Sequence, residues 1–137
     1  MKLGVMLVDD SLIMTKKLET MVRELGHDVI RVCATGRQAV AAYPTIRPDL
    51  VLMDITMPDM DGIEATKQIL AADRKARIVM VTSHGQEAMV VRSLEAGALG
   101  YVLKPVVREK LAAMIERAVK QAAARTVAAA EAPRQEI

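Results

Sequence analysis

The chain has 137 residues, of which 52% are hydrophobic, and a formal net charge of +2. This size and composition are typical of one soluble domain with a proper core and exclude a disordered tail. The basic residues are dispersed, with no aromatic residues between them, which disfavours direct nucleic-acid binding. No apolar run approaches the roughly 18–20 residues that a membrane span needs, so we expect a cytoplasmic protein with no membrane segment.

Short apolar runs without polar alternation predict five strands. Continuous runs of this length indicate strands buried on both faces. The single cysteine, Cys33, lies in the second run, where we expect a small buried hydrophobic side chain. The runs are Leu3–Val8, Val29–Ala34, Leu50–Met53, Ile78–Val81 and Tyr101–Leu103.

Segments with helical character follow each of these runs. The clearest apolar stripes extend from Met14 to Leu25, ended by Gly26, and from Leu111 to Val119. Weaker helices are predicted over 38–43, closed by Pro44, over 63–72 and over 86–96. Alternating strands and helices predict an α/β fold with a doubly wound parallel sheet, because right-handed crossovers place helices on both faces.

The last part of the sequence differs in composition from the rest. Residues 1–120 contain all the predicted strands and helices, whereas residues 121–137 are rich in alanine. We expect one domain over 1–120, followed by an Ala-rich stretch that either extends the last helix or forms a linker tail.

Polar side chains follow four of the predicted strands. Asp9 and Asp10 come after the first, Asp54 after the third, Thr82 ends the fourth, and Lys104 follows the fifth. Because ligands of open parallel sheets bind beyond the carboxyl ends of the strands, we expect these groups to converge on one edge. A single carboxylate there is commonly a helix cap, but four strand ends together indicate a site.

The paired acids Asp9 and Asp10 require a cation nearby. Adjacent carboxylates at the end of a buried strand repel each other unless a positive charge offsets them. A set of oxygen ligands without cysteine or histidine suits a hard divalent ion, Mg²⁺ first. A carboxylate can also attack phosphorus to give an acyl phosphate, and phosphoryl transfer mainly needs the charge neutralisation that Mg²⁺ and a lysine supply.

Four motifs, in order, resemble those of a known family. They are VDD at 8–10, LMDITMPDMDGIEA at 52–65, VTS at 81–83 and GYVLKP at 100–105. Together they resemble the response-regulator receiver domains of two-component signalling over residues 2 to about 120. The stretches DITMPDMDGIEA and GQEAMVVRSLEAGA are similar in particular to single-domain chemotaxis regulators of the CheY type.

The resemblance implies a flavodoxin-like (βα)5 fold with strand order 2-1-3-4-5. It also implies that Asp54 accepts a phosphoryl group from a histidine kinase. Mg²⁺ would be bound by Asp10 directly, by Asp9 through water, by Asp54 and by the backbone carbonyl of Thr56.

The same resemblance assigns roles to residues at the fourth and fifth strands. Lys104 would pair with Asp54 and later with the phosphoryl oxygens, and Thr82 would bond the phosphoryl group. Tyr101 would be an aromatic switch, partly outward before phosphorylation and inward after it. Family members usually have a cis peptide at the position of Lys104–Pro105.

The resemblance further implies an output surface on the fourth helix, fifth strand and fifth helix. This surface would include Val90, Leu94 and Tyr101 and would bind a downstream protein, such as a flagellar motor switch or another output protein. Neither nucleic acid nor a membrane is an expected direct partner.

Residues near the predicted site would tune the lifetime of the phosphoryl group. Ser83 occupies a position where Ala or Gly is frequent in the family and would add a hydroxyl. Thr56 and His84 occupy positions that, in the family, set how fast the acyl phosphate hydrolyses. An ordinary exposed loop residue is the alternative interpretation of His84. The other histidine, His27, is expected at the surface of a turn.

Three alternatives stay open. A phosphatase of the haloacid-dehalogenase type also uses a strand-end aspartate with Mg²⁺, but those enzymes have Asp-x-Asp on the first strand, whereas Asp9 and Asp10 are adjacent. A receiver-like module could bind a partner constitutively, although such modules usually lack a site residue and none is missing here. The chain could also be the receiver portion of a longer regulator with an output domain after residue 137.

Overall fold

The computed structural model describes residues 2–83 and 87–131. Strands and helices alternate along this part of the chain, and neighbouring strands pair in parallel in the order β2-β1-β3-β4-β5. The predicted α/β fold, a flavodoxin-like (βα)5 sheet in the order 2-1-3-4-5, is therefore confirmed. The elements are β1 Gly4–Val8, α1 Leu12–Glu24, β2 Asp28–Cys33, α2 Gly36–Ile46, β3 Leu50–Asp54, α3 Gly62–Ala72, β4 Ile78–Thr82, α4 Glu87–Glu95, β5 Gly100–Leu103 and α5 Arg108–Glu131.

The sheet has a separate apolar core on each face. Successive residues of β1 alternate between the two cores, with Leu7 packed on the α1 and α5 side and Met6 on the α2 and α3 side. Strands β1, β3 and β4 are buried on both sides, as their unbroken apolar runs predict. Cys33 is buried, which confirms its prediction as a small core residue.

The edge strands β2 and β5 are only partly covered. Ile30 and Val32 on β2 are each 44% exposed, and Leu103 on β5 is 47% exposed. The prediction that all five strands are buried on both faces is wrong for these two. Each is an edge strand with a neighbour on one side only, so the helices that cover the sheet do not enclose it.

Helix ends follow local hydrogen bonding, with one departure from expectation. Ser11 caps α1 by accepting a hydrogen bond from the Met14 amide at 3.2 Å. The prediction that Pro44 closes the second helix is wrong, because α2 continues through it to Ile46 and ends at Arg47 in a left-handed conformation. Proline removes one N–H donor near the end of this helix, so only one helical hydrogen bond is lost there.

Helix α5 continues beyond its apolar stripe into the Ala-rich stretch. It extends from Arg108 to Glu131, well past Val119 and across the predicted division at residue 120. Residues 132–137 of the predicted tail lie outside the described residues, and the division at 120 stays a prediction. Within the part of the chain that the structure describes, no helix is both long enough and apolar enough to cross a bilayer.

Candidate functional site

Four polar residues meet where the parallel strands end. Asp9 follows β1, Asp54 ends β3, Thr82 ends β4 and Lys104 follows β5. The parallel register of the strands places these positions side by side at one edge of the sheet. Asp9, Asp54 and Thr82 are buried. The convergence predicted from the sequence is therefore present.

The Lys104 ammonium bridges two carboxylates. Its Nζ lies 2.8 Å from Asp9 Oδ2 and 3.4 Å from Asp54 Oδ1. The backbone also holds Lys104 in place, because its amide donates to the carbonyl oxygen of Thr82 at 2.8 Å. The family resemblance implies the contact with Asp54, whereas the shorter contact with Asp9 is not among the predictions.

Asp9 is held by contacts to both oxygens of its carboxylate. Oδ1 accepts a hydrogen bond from the Ser11 amide at 2.8 Å, and Oδ2 pairs with Lys104. Its own amide donates to the Cys33 carbonyl at 3.0 Å, which ties it to the end of β2. Both oxygens of the Asp9 carboxylate are therefore fixed in position by neighbouring groups.

Burial and neighbouring charges shift the titration of the site. Burial raises the pKa of Asp54 above its ordinary value, the charges of Asp9 and Asp10 raise it further, and Lys104 only partly opposes them. Burial alone would lower the pKa of Lys104, but its hydrogen bond with Asp9 and the charge of Asp54 outweigh burial and raise it. The lysine therefore stays an ammonium, and three carboxylates still exceed its one positive charge.

The donor atoms fit a hard divalent cation. Ligand oxygens of Asp9, Asp10 and Asp54 all lie within 4.8 Å of one another. Asp10 is exposed, and no other described residue forms a hydrogen bond or ion pair with its carboxylate. A compact oxygen set with an open, solvent-facing carboxylate is what Mg²⁺ prefers, because this ion keeps several of its waters. The arrangement can thus hold Mg²⁺ beside the Asp54 carboxylate.

The loop after β3 brings α3 directly against Asp54. Gly62 begins α3, and its amide donates to the Ile55 carbonyl at 2.7 Å. A Cβ atom on Gly62 would meet the carbonyl oxygen of Asp54. Asp61 caps this helix by accepting a hydrogen bond from the Glu64 amide at 2.8 Å. Gly62 therefore allows α3 to begin in direct contact with the backbone of Asp54.

The remaining described residues predicted around the site lie on the loops that follow β3, β4 and β5. The Lys104–Pro105 peptide is cis, as expected. Thr56 and Ser83 are exposed on the loops after β3 and β4. His84 lies outside the described residues. The roles assigned to these residues by the family resemblance stay predictions.

The residues predicted for output lie apart from the acidic cluster. Tyr101 on β5 is 41% exposed and Leu94 on α4 is 46% exposed, whereas Val90 is half-buried. Tyr101 and Leu94 line one groove between α4, β5 and α5, which also includes Lys110 and Arg117. Two of the predicted output residues, Leu94 and Tyr101, therefore share one groove, whereas Val90 is not part of its lining.

His27 has a structural contact that its sequence context does not reveal. It is half-buried, and its Nδ1 accepts a hydrogen bond from the Leu3 amide at 3.1 Å. The expectation of a histidine that lies merely at the surface of a turn is wrong. This ring ties the turn before β2 to the residue that precedes β1.

Comparisons with known proteins agree with this architecture. Residues 5–116 match the model of the response regulator receiver domain. The chemotaxis protein CheY of Listeria monocytogenes is 36% identical over 118 residues, which cover 86% of this chain and 99% of the relative. CheY of Thermotoga maritima is 41% identical over 101 residues, covering 74% of this chain and 84% of the relative.

Solved structures give the same result. A CheX–CheY complex with BeF3 and Mg²⁺ from Borrelia burgdorferi matches with a TM-score of 0.79 and 35% identity, covering 82% of this chain and 85% of that one. A signal receiver domain of a modulated diguanylate cyclase from Desulfovibrio desulfuricans matches with a TM-score of 0.82 and 31% identity, covering 91% and 99%. The chain therefore belongs to the response regulator receiver domains of two-component signalling, and its similar relatives include CheY proteins.

Proposed function

We propose that the chain is a cytoplasmic switch of the CheY type that accepts a phosphoryl group from a histidine kinase on Asp54, with Mg²⁺. One observation gives the main support for this proposal. The Asp54 carboxylate ends β3 with the Lys104 ammonium 3.4 Å away, inside a cluster of three carboxylates whose oxygens fit a divalent cation. A nucleophile, a fixed ammonium and a cation site at one strand edge are the parts that phosphoryl transfer to a carboxylate needs.

The transfer step follows from these groups. A carboxylate oxygen of Asp54 forms a bond to phosphorus while the bond from phosphorus to the donor histidine nitrogen breaks. The electron pair of that bond stays on the imidazole, which then takes up a proton. Bound Mg²⁺ would neutralise charge on the phosphoryl oxygens. Lys104 has three N–H donors, so it can reach a phosphoryl oxygen on Asp54 while it still contacts Asp9.

The switch would act through the neighbouring strands. Thr82, buried at the end of β4, would bond a phosphoryl oxygen, and Tyr101 would move inward from its present half-exposed position. A modification shifts such an equilibrium only by its different interaction with the two states, and the new oxygens supply that difference. The affected face would bind a flagellar motor switch or another output protein, and the CheX–CheY complex of a relative supports partner binding by this fold.

The first experiment asks whether phosphorylation needs both Asp54 and Mg²⁺. The full chain is incubated with acetyl phosphate, with and without Mg²⁺, and weighed by intact mass spectrometry beside Asp54→Asn. We expect one phosphoryl group on the parent chain, present only with Mg²⁺ and absent from the variant. A folded protein that takes up no phosphoryl group would overturn the proposal in favour of a constitutive interaction module. Turnover of a generic phosphate ester would instead favour a phosphatase.

A further inference from the structure

An apolar groove lies at the opposite end of the sheet from the acidic cluster. It has a volume of about 400 Å³, and only a small part of its lining is polar. Small-molecule sites range from roughly 300 to 1,000 Å³, so this groove is large enough for a short alkyl group rather than a long chain. Its wall is formed by Leu3 before β1, Leu25 and His27 after α1, and Ala112, Ile115 and Val119 of α5.

The imidazole of His27 gives this apolar groove a defined hydrogen-bond donor. Its Nδ1 accepts from the Leu3 amide at 3.1 Å, and an imidazole that accepts at Nδ1 carries its proton on Nε2. No other described residue accepts a hydrogen bond from Nε2. The His27 amide donates to the Val22 carbonyl at 3.1 Å, so the backbone also fixes the residue. His27 lines the groove, and its Nε2–H is a hydrogen-bond donor without an acceptor among the described residues.

The rim of the groove carries the second polar feature, an ammonium. Lys120 Nζ lies 2.8 Å from Glu116 Oε1, one turn earlier on α5, and both side chains are largely exposed. The pair neutralises the Glu116 charge that would otherwise repel an anion. An ammonium has three N–H donors, so Lys120 can keep its contact with Glu116 and also donate a hydrogen bond to a further carboxylate oxygen. Asp28, beside His27, is also paired, with Lys2 Nζ at 3.6 Å.

We propose that this groove binds a free monocarboxylate with a short alkyl chain, the chain lying on Leu3, Leu25, Ile115 and Val119 and the carboxylate meeting His27 Nε2 and Lys120 Nζ. The apolar wall accounts for the alkyl chain. The His27 N–H donor and the Lys120 ammonium would bind the carboxylate. The nearby acids Glu116 and Asp28 are already paired with lysines, so they repel it less. The site is separate from Asp54 and does not depend on the proposed phosphorylation.

Octanoate is the probe that tests this site, with 1-octanol as its uncharged match. Both are titrated into the full, isotope-labelled chain and followed by amide NMR. We expect saturable changes in the amide chemical shifts of residues around the groove. The dissociation constant for octanoate should be about 1 mM or tighter, and octanol should bind more weakly. Shifts that do not saturate, or equal affinities for the two probes, would overturn the proposal, the second by showing an apolar surface without recognition of the carboxylate.

Two variants locate the site and its charge recognition. Ala112→Leu fills the groove and should abolish the shifts, whereas Ala113→Leu, the same change facing the other side of α5, should leave them intact. Lys120→Met keeps the alkyl stem and should reduce octanoate affinity to that of octanol. Unchanged octanoate binding in Ala112→Leu or Lys120→Met would overturn the proposal. Amide shifts that depend on protein concentration without any probe would instead assign the groove to a second copy of the chain.

Discussion

The Lys104 ammonium lies closer to Asp9, at 2.8 Å, than to the phosphoacceptor candidate Asp54, at 3.4 Å. Both carboxylates are buried, so one lysine neutralises much of the charge that the fold encloses at this edge. Lys104→Met should lower the free energy of unfolding at pH 7 by about 2 kcal/mol, because it leaves two carboxylates without their ammonium. Urea unfolding measures this loss, and added Mg²⁺ should restore part of it.

Lys16→Met is the matched control for the Lys104 variant. Lys16 is exposed on α1 and forms no ion pair with another described residue, so the same substitution should change stability by less than about 0.5 kcal/mol. If Lys104→Met were equally mild, water would already be screening the two carboxylates. That result would contradict a structural role for the ammonium.

Asp54→Asn should make the folded chain more stable at neutral pH. The pKa of Asp54 is raised from 3.8, first by burial and then by the Asp9 charge, so the folded state opposes ionisation of this group. Its contribution to stability is full below pH 3.8 and is lost as the pH rises through the raised pKa. We therefore expect the variant to melt higher than the parent by on the order of a few degrees at pH 7 without divalent cations.

The pH dependence of stability distinguishes the removal of a buried charge in Asp54→Asn from a gain in packing. Thermal unfolding followed upward from pH 3.8 should show the advantage of Asp54→Asn growing until the pH passes the raised pKa of Asp54 and staying constant above it. Asp28→Asn, at an exposed ion pair with Lys2, should show little change over the same range. An Asp54→Asn chain that is less stable than the parent at pH 7 would mean that the Lys104 pair outweighs burial.

The sequence predicts the sheet and the strand-end acids because both depend on local patterns. Unbroken apolar runs reveal strands enclosed on two faces, and the residue after each run then marks the edge where ligands bind. The pairing of Lys104 with Asp9 could not be predicted in this way, because it depends on how far a flexible side chain reaches across two strands. The exposure of Ile30 and Val32 was also missed, since an edge strand and a central strand have similar apolar runs.

Gly62→Ala tests the packing of α3 on Asp54, a contact that no sequence pattern reveals. The added methyl group would meet the Asp54 carbonyl oxygen, a backbone atom that cannot rotate away. We expect a loss of about 2–3 kcal/mol in the free energy of unfolding and slower phosphorylation of Asp54. Urea unfolding and intact mass spectrometry measure the two effects.

Gly4→Ala is the control for Gly62→Ala. Its added methyl group would approach Ile30 Cδ1 at 2.9 Å, the end of a side chain that can change rotamer. The expected loss is below about 1 kcal/mol, with phosphorylation unchanged. Equal losses for the two glycine variants would show that α3 moves away from Asp54 as easily as Ile30 rotates.

Tyr43→Phe removes a hydrogen bond that joins α2 to the end of α3. The Tyr43 hydroxyl donates to Asp73 Oδ2 at 2.8 Å, and this bond lowers the pKa of Asp73. The variant should lose about 1 kcal/mol at pH 7. A lowered pKa contributes stability above the ordinary value of 3.8 and loses it as the pH falls through the lowered pKa, so the difference should shrink in acid.

Asp73→Asn gives a second measure of the same bond. An amide oxygen still accepts from the Tyr43 hydroxyl, so part of the stability should remain and its pH dependence should disappear. Urea unfolding of the parent and both variants at several pH values distinguishes the cases. A Tyr43→Phe loss that is constant with pH would assign the effect to packing rather than to Asp73.

The two tyrosines make the proposed switch directly measurable. Tyr101 is 41% exposed and Tyr43 only 4%, so a photochemical NMR method that reports solvent contact of tyrosine rings should detect Tyr101 and not Tyr43. If phosphorylation draws Thr82 toward Asp54 and Tyr101 inward, BeF3 with Mg²⁺ should reduce the Tyr101 signal and leave Tyr43 silent. Asp54→Asn should not respond. A Tyr101 signal unchanged by BeF3, in a chain that acetyl phosphate does phosphorylate, would exclude the ring as the switch while leaving the phosphoacceptor role of Asp54 intact.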